Sequence, residues 1–463
     1  MQPALRTTWR PLFSQQECAP YRTAVEAVAA ELAHPDPALF VHSRRTATAR
    51  YDGAAAVADL AGGKAGLAVF FAYLHLHTGE PAHRDTSIRL MDEAIAGMAG
   101  TAFSPRFFQG WPGVAWAASH VGRLPGWCVD ESPVTEIVRV VEHLTRPSCW
   151  TGHLDLVSGL TGLGVYALEE LPRPAARSGL VAVVERLAEH AEHLNEGESW
   201  LAPGNDLIVD NQLIDHDGEA QLGLDHGIPG VITLLAEAHA VGVEQALPLL
   251  NRIVSWSLDG IPPAGTSALF PHWNDTGNGT GRSPRSTWSN GASGLAAALM
   301  TAATRADKAT WHGTAVDLAV RAADTPLDRC MIADHSICRG AAGMAHLYNR
   351  MYQATGHEGL REGARTWFRR LLDMRHADSG VGGFLSYLPR RGQGDPWIAD
   401  AGLMTGAAGA ALTMLSAIGS ITPLWDRMLL VSVPTSETDW QSGLPPRTCP
   451  ADGTRSSIPH RPA

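Results

Sequence analysis

Asp155 stands four residues before Gly159, His226 directly before Gly227, and Cys338 and Arg339 directly before Gly340. Arg285 lies six residues before Gly291, with Ser289 and Asn290 immediately ahead of it, and Gln109 precedes Gly110. Brought to one place, a carboxylate, an imidazole, a thiol and two guanidiniums would form an unusual density of reactive groups. The imidazole suits proton transfer near neutrality. The guanidiniums suit an anion such as a carboxylate or thiolate. Each residue also has a plain reading. Asp155 could cap the helix that follows, His226 could be a core histidine, Arg285 a loop cation and Cys338 an inert buried thiol. Trp111, Trp273 and Trp288 are candidate walls of a binding groove or parts of the core.

What would gather these residues is a repeat. The pattern G-x-x-G followed by an uncharged apolar run begins at Gly63, Gly110, Gly159, Gly227, Gly291, Gly340 and Gly406, at steps of 47, 49, 68, 64, 49 and 66 residues. A bare G-x-x-G carries little weight in a chain with 47 glycines among 463 residues. The full context, repeated at a period long enough for a helical hairpin, carries more. Each glycine pair opens a predicted helix that is apolar all round, hence buried. Amphipathic helices lie between them, as in Val134 to Arg146, Ala182 to Leu194 and Arg361 to Arg375. Inner and outer layers of this kind predict an all-α fold, an α/α toroid with seven inner and seven outer helices. An open solenoid is less apt, because its inner helices should show a polar stripe. In a ring, the starts of the inner helices converge on one mouth, with helix dipoles and free N–H groups pointing there. The expected domain is residues 1–433. Residues 434–463, with five prolines after Pro434, read as an irregular tail. The polar, glycine-rich run Asn274 to Ser286 is a candidate functional loop.

Composition excludes several classes. Lys and Arg number 36 against 47 Asp and Glu, a net charge of −11. Nucleic acid is therefore not an expected partner. The six cysteines are sparse, with no C-x-x-C pair, and no signal peptide is evident, so a reducing cytoplasm is expected. Residues 401–425 carry no charge. Their glycines, Pro423 and alanine richness argue for a buried soluble helix over a membrane span.

The motifs resemble those of the lanthionine synthetase C-like proteins, the cyclases of lanthipeptide biosynthesis, over about Ser43 to Ser432. LDLVSGLTGLGVYAL, with Asp155, resembles the family's aspartate-bearing repeat. LGLDHGIPGV, with His226, is close to L-G-x-x-H-G-x-P-G. PRSTWSNGASG resembles R-x-x-W-C-Y-G-x-x-G, SICRGAAG resembles C-H-G-x-x-G, and TPLWDRMLLVS resembles the closing W-D-R segment. The resemblance implies a double ring of helices. It also implies addition of a precursor-peptide cysteine thiol to a dehydroalanine or dehydrobutyrine, giving a thioether ring. His226 would transfer protons, supported by Asp155, with Arg285 near the same centre. It further implies a zinc ion carrying the thiolate, held by the cysteine of W-C-Y-G and both residues of C-H-G. This sequence has Ser289 and Arg339 at two of those three positions and keeps Cys338. A catalytic zinc needs three protein ligands, and arginine is a fixed cation. No metal or other cofactor is therefore expected; a site rebuilt from Cys338, His335 and His272 is the minor alternative.

Two functional classes follow. The first is a zinc-independent cyclase using His226, Asp155 and Arg285 on a substrate held near Cys338, Arg339, Ser289, Asn290, Trp288 and Trp111. Its nucleophile would be a cysteine thiolate or, in aminovinyl-cysteine ring formation, a more acidic enethiolate. The second is a degenerate member that binds the precursor peptide or scaffolds a dehydratase, kinase or flavoprotein decarboxylase. Similar toroids host terpenoid cyclases and glycosidases, but the chain lacks D-D-x-x-D and a clear carboxylate pair.

Overall fold

The computed structural model describes residues 9–41, 57–98, 104–125, 127, 132–147, 150–192, 207–209, 212–214, 223–262, 286–389 and 395–434. Arg285, His272, Trp273, the loop to residue 285 and the tail from 435 lie outside these residues.

The seven glycine pairs each open a buried helix. These are α2 (Lys64–Thr78), α4 (Trp111–Gly122), α6 (Leu160–Glu169), α8 (Ile228–Ala240), α10 (Ala292–Arg305), α12 (Ala341–Thr355) and α14 (Ala407–Ile418). Each packs on the next, and α14 packs on α2, so the inner ring closes. Apolar residues on every side of α14 explain its place: all of 407–417 is buried. Outer helices α3 (Pro81–Met98), α5 (Ser132–Thr145), α7 (Pro174–Glu192), α9 (Ala246–Asp259), α11 (Ala309–Ala323) and α13 (Glu358–Asp373) follow the first six inner ones. In α13 the buried residues Leu360, Ala364, Trp367, Phe368 and Leu371 recur at three- and four-residue steps, leaving Glu362, Arg369 and Arg370 to solvent.

The seventh outer helix comes from the other end of the chain. Helix α1 (Ala19–Leu32) buries Tyr21, Ala24, Val25, Val28 and Leu32 and packs against α14. The irregular segment before it is fastened there too. Trp9 Nε1 donates to the Ser416 carbonyl at 2.7 Å and Leu12 N–H to the Ala417 carbonyl at 2.8 Å. Two short antiparallel hairpins complete the fold: β1 (Leu207–Val209) with β2 (Gln212–Ile214), and β3 (Ser386–Tyr387) with β4 (Trp397–Ile398).

The glycine pairs have a steric cause. A Cβ on Gly343 would lie 1.9 Å from the Ile337 carbonyl oxygen, and one on Gly409 1.9 Å from that of Leu403. The second glycine of a pair thus lets the helix start pack on its own loop, six residues upstream. The same loop satisfies the helix end. The N–H groups of Leu160, Thr161 and Gly162 donate to the carbonyls of His153, Leu154 and Asp155. Those of Ala341, Ala342 and Gly343 donate to Asp334, His335 and Ser336. These helix starts therefore do not offer free N–H groups to a ligand, contrary to the sequence expectation; their own carbonyls have taken them.

Hydrogen bonds also join loop to loop around the ring. Ala61 N–H donates to Phe108 O (3.1 Å), Phe108 to Val157 (3.5 Å) and Leu156 to Asp225 (3.0 Å). Ser289 N–H donates to Cys338 O (3.2 Å), Cys338 to Met404 (3.0 Å) and Met404 to Ala61 (2.8 Å). The remaining step, from Asp225 to Ser289, is made by side chains: Ser289 Oγ donates to Asp225 Oδ2.

The opposite end is plugged by the segment Leu424–Leu429, whose residues are all buried. Asp426 accepts from His346 Nε2 at 2.8 Å, from Arg350 Nη2 at 2.9 Å and from Ser432 Oγ at 2.7 Å. Burial opposes its charge, but Arg350 and His346 hold its carboxyl far below the usual range. Nearby, Glu169 accepts from His120 Nδ1 at 3.1 Å, and His120 donates to or accepts from Tyr73 Oη at 2.9 Å. Replacing Asp426 by alanine would leave Arg350 charged and unpaired in the core. The expected loss is about 3–5 kcal/mol of unfolding free energy, read from denaturant midpoints; an unchanged midpoint would refute this role for the plug.

Candidate active site

Asp155 and His226 come from loops ahead of adjacent inner helices, α6 and α8. The Leu156 N–H to Asp225 O bond holds those loops together. His226 Nδ1 lies 2.9 Å from Asp155 Oδ2. The other carboxylate oxygen, Oδ1, accepts the Ser158 N–H at 2.6 Å. With Nδ1 donating to a carboxylate, the imidazole keeps Nε2 for other work. That atom lies 3.9 Å from Asp225 Oδ2, beyond a hydrogen bond.

The electrostatics favour an imidazolium. Burial disfavours the charged ring, yet the carboxylates of Asp225 and Asp155 outweigh it, pushing the His226 pKa up to about 9. The Arg339 guanidinium works against them. Burial likewise opposes the Asp155 charge. The His226 charge, its hydrogen bond and the Ser158 N–H overcome that, so Asp155 titrates below its ordinary value. Cation and anion are thus both charged at neutral pH. What the arrangement can do is donate a proton from Nε2 to a carbanion or enolate.

Two members of this site were not among the sequence candidates. Asp225 adjoins His226 and binds both its backbone N–H (2.8 Å, through Oδ1) and the Ser289 hydroxyl. His153 lies two residues before Asp155, with Nδ1 4.0 Å from Asp155 Oδ2. Their only sequence signal is adjacency to a site residue.

The other candidates fall into two groups. Cys338 and Arg339 are half-buried in the loop before α12, bonded to Ser289 and to the Ser336 hydroxyl through their backbones. Asn290 and Trp111 are half-buried at the starts of α10 and α4. Trp288 is different: it is 1% exposed, and its indole N–H donates to the Leu429 carbonyl at 3.1 Å. It fills the ring interior, where its large apolar area is removed from water, and is not a groove wall. Ser289 is also 1% exposed, its hydroxyl committed to Asp225.

The side chains present do not fit the zinc ion that the motif resemblance implies. The serine hydroxyl is neutral and already donates to a carboxylate. Arg339 adds a positive charge felt at His226. Among the described residues no three His, Cys, Asp or Glu side chains converge to hold a metal. His335, 1% exposed, packs against Phe384 with ring centroids 4.9 Å apart and the planes tilted by 43°.

A closed double ring of helices, with a carboxylate–imidazolium pair among the loops at one end, is the class of protein that the fold and site define. The family model for lanthionine synthetase C-like proteins matches residues 56–430, and the chain belongs to that family. Among solved structures it is similar to a nisin cyclase, at 15% identity and a TM-score of 0.66, over 89% of this chain and 97% of that one. A sugar epimerase from a ruminal bacterium aligns at 10% identity and a TM-score of 0.42, over 87% and 98% of the two chains. No curated protein matches. Among the described residues no helix is long and apolar enough to cross a membrane.

The site makes a titration prediction. A raised His226 pKa stabilises the fold at pH below its unfolded value of ~6.5, and this is lost as pH rises through about 9. The lowered Asp155 pKa stabilises it above the unfolded carboxylate value and is lost in acid. In a histidine NMR titration, Asp155→Asn should move the His226 midpoint down by about one unit or more. An unmoved midpoint would mean that Asp155 does not sustain the imidazolium.

Proposed function

We propose that this protein closes thioether rings in a ribosomally made precursor peptide. A cysteine thiol or thiolate, or an enethiolate, adds to the β-carbon of a dehydroamino acid, giving a lanthionine-type or aminovinyl-cysteine-type ring without zinc. The observation that carries this reading is the Asp155–His226 pair, held charged among the mouth loops of a lanthionine synthetase C-like toroid.

Addition of sulfur to the alkene places negative charge on the α-carbon and its carbonyl. His226 Nε2–H supplies the proton that quenches this enolate, and Asp155 fixes the ring through Nδ1. Arg339, whose charge reaches His226, offsets that of the incoming thiolate. An enethiolate is more acidic than an alkyl thiol and would need less such help. Dehydration is the work of a separate partner, a dehydratase or kinase-type enzyme, with a flavoprotein decarboxylase for the enethiolate route. The reaction belongs to the cytoplasm, where a peptide thiol stays reduced.

Ring closure leaves mass unchanged, so the test counts free thiols by alkylation. The purified protein is incubated with synthetic peptides carrying a dehydroalanine and a cysteine, with and without a chelator. Thiol loss that survives the chelator is the expected result, and His226→Gln should slow it about 100-fold or more. Loss abolished by the chelator would overturn the zinc-independent reading. Peptide binding with no thiol loss would favour a scaffold for the modifying enzymes.

A further inference from the structure

His153 has no role in the motif resemblance, yet it shares a carboxylate with His226. Its Nδ1 is buried, has no hydrogen-bond partner, and lies 4.0 Å from Asp155 Oδ2, the oxygen that accepts from His226 Nδ1 at 2.9 Å. The side chain as a whole is 28% exposed. Two imidazoles thus flank one anionic oxygen, one bonded to it and one poised just beyond bonding distance. The loop fixes the placement, since the His153 carbonyl accepts the N–H of Leu160 at the start of α6 and the Trp150 indole N–H.

Resting on the cyclase reading above, we propose that His153 is a second catalytic histidine that accepts the proton of the peptide cysteine, while His226 delivers a proton to the enolate carbon. One imidazole cannot do both at once, because a ring already protonated at Nδ1 and Nε2 has no lone pair for a thiol. A free thiol near pKa ~8.5 is mostly protonated at neutral pH and needs a base. With its Nδ1–H toward Asp155, neutral His153 presents the Nε2 lone pair.

The step balances. The S–H bond breaks and its proton goes to His153 Nε2. The sulfur lone pair forms the C–S bond to the β-carbon, and the alkene π pair becomes the enolate. The α-carbon takes the proton from His226 Nε2, leaving that ring neutral. Asp155 Oδ2 then faces one cation as before, now His153. Returning one proton from His153 to His226 restores the starting state. The groups facing His153 are Asp155, His226 and Arg106. Burial holds its pKa below the ordinary value, Asp155 opposing and the two cations adding to the effect. His226 is faced by Asp225, Asp155 and Arg339. The His153 ring therefore titrates according to the charge on His226.

The experiment pairs a titration of the protein alone with rates on the dehydroalanine–cysteine peptides. In histidine NMR, His153 should titrate below its ordinary value in the wild type and move up in His226→Gln, where Asp155 is released. In rate measurements, His153→Gln should lower kcat for thiol loss by about 100-fold or more with little change in peptide affinity. It should also erase the acidic limb of the pH profile while leaving the limb near pH 9. Wild-type kcat in His153→Gln, or a His153 midpoint indifferent to His226→Gln, would overturn the proposal alone. Thiol loss absent from the wild type would overturn the cyclase reading and this inference with it.

Discussion

Hydrogen bonds between the loops ahead of the inner helices hold this toroid closed and at the same time set its chemistry. Six steps around the mouth use main-chain N–H and carbonyl groups, so they are indifferent to side-chain identity. The seventh depends on Ser289 and Asp225. The loops ahead of α2, α4, α6, α12 and α14 are further tied to their own helices by N–H groups that reach back to loop carbonyls. Glycine at the pair positions is what permits that close approach. Asp155 therefore stands on backbone that is bonded in two directions, the condition for a site held in working geometry.

The charges at the mouth are coupled in the same way. Asp225 anchors Ser289 and also helps to keep His226 protonated. Asp155 holds the ring through one oxygen while the other is taken by Ser158. Catalysis at such a site depends on oriented donors that need no rearrangement when charge develops. The polar plug at the other end has a different task. There Asp426, Arg350 and His346 satisfy one another in a dry interior, where any single vacancy would be costly.

Much of this was legible in the sequence. The seven glycine pairs located all seven inner helices, because a helix apolar all round has few other places to be. The motif positions of Asp155 and His226 located two residues that meet in space. Other features left no local trace. Helix α1 carries no glycine pair, so only the closed ring shows it to be the outer partner of α14. Trp288 has the same neighbours in sequence whether its indole faces a groove or the core. The free N–H groups expected at helix starts are consumed by carbonyls seven residues upstream, as for Leu160 and His153. His153 and Asp225 matter through distances to residues in other loops, which spacing along one chain does not encode.

The pairing of α1 with α14 bears on biosynthesis. Residues 19–32 leave the ribosome well ahead of residues 407–418, the partner of their apolar face. Everything between these two helices must be made before this seam can form. Contacts of such long sequence separation are slow to assemble. Until then the nascent protein is an open arc with two unmatched edges, the state in which such arrays are most exposed to misassembly and most dependent on chaperones.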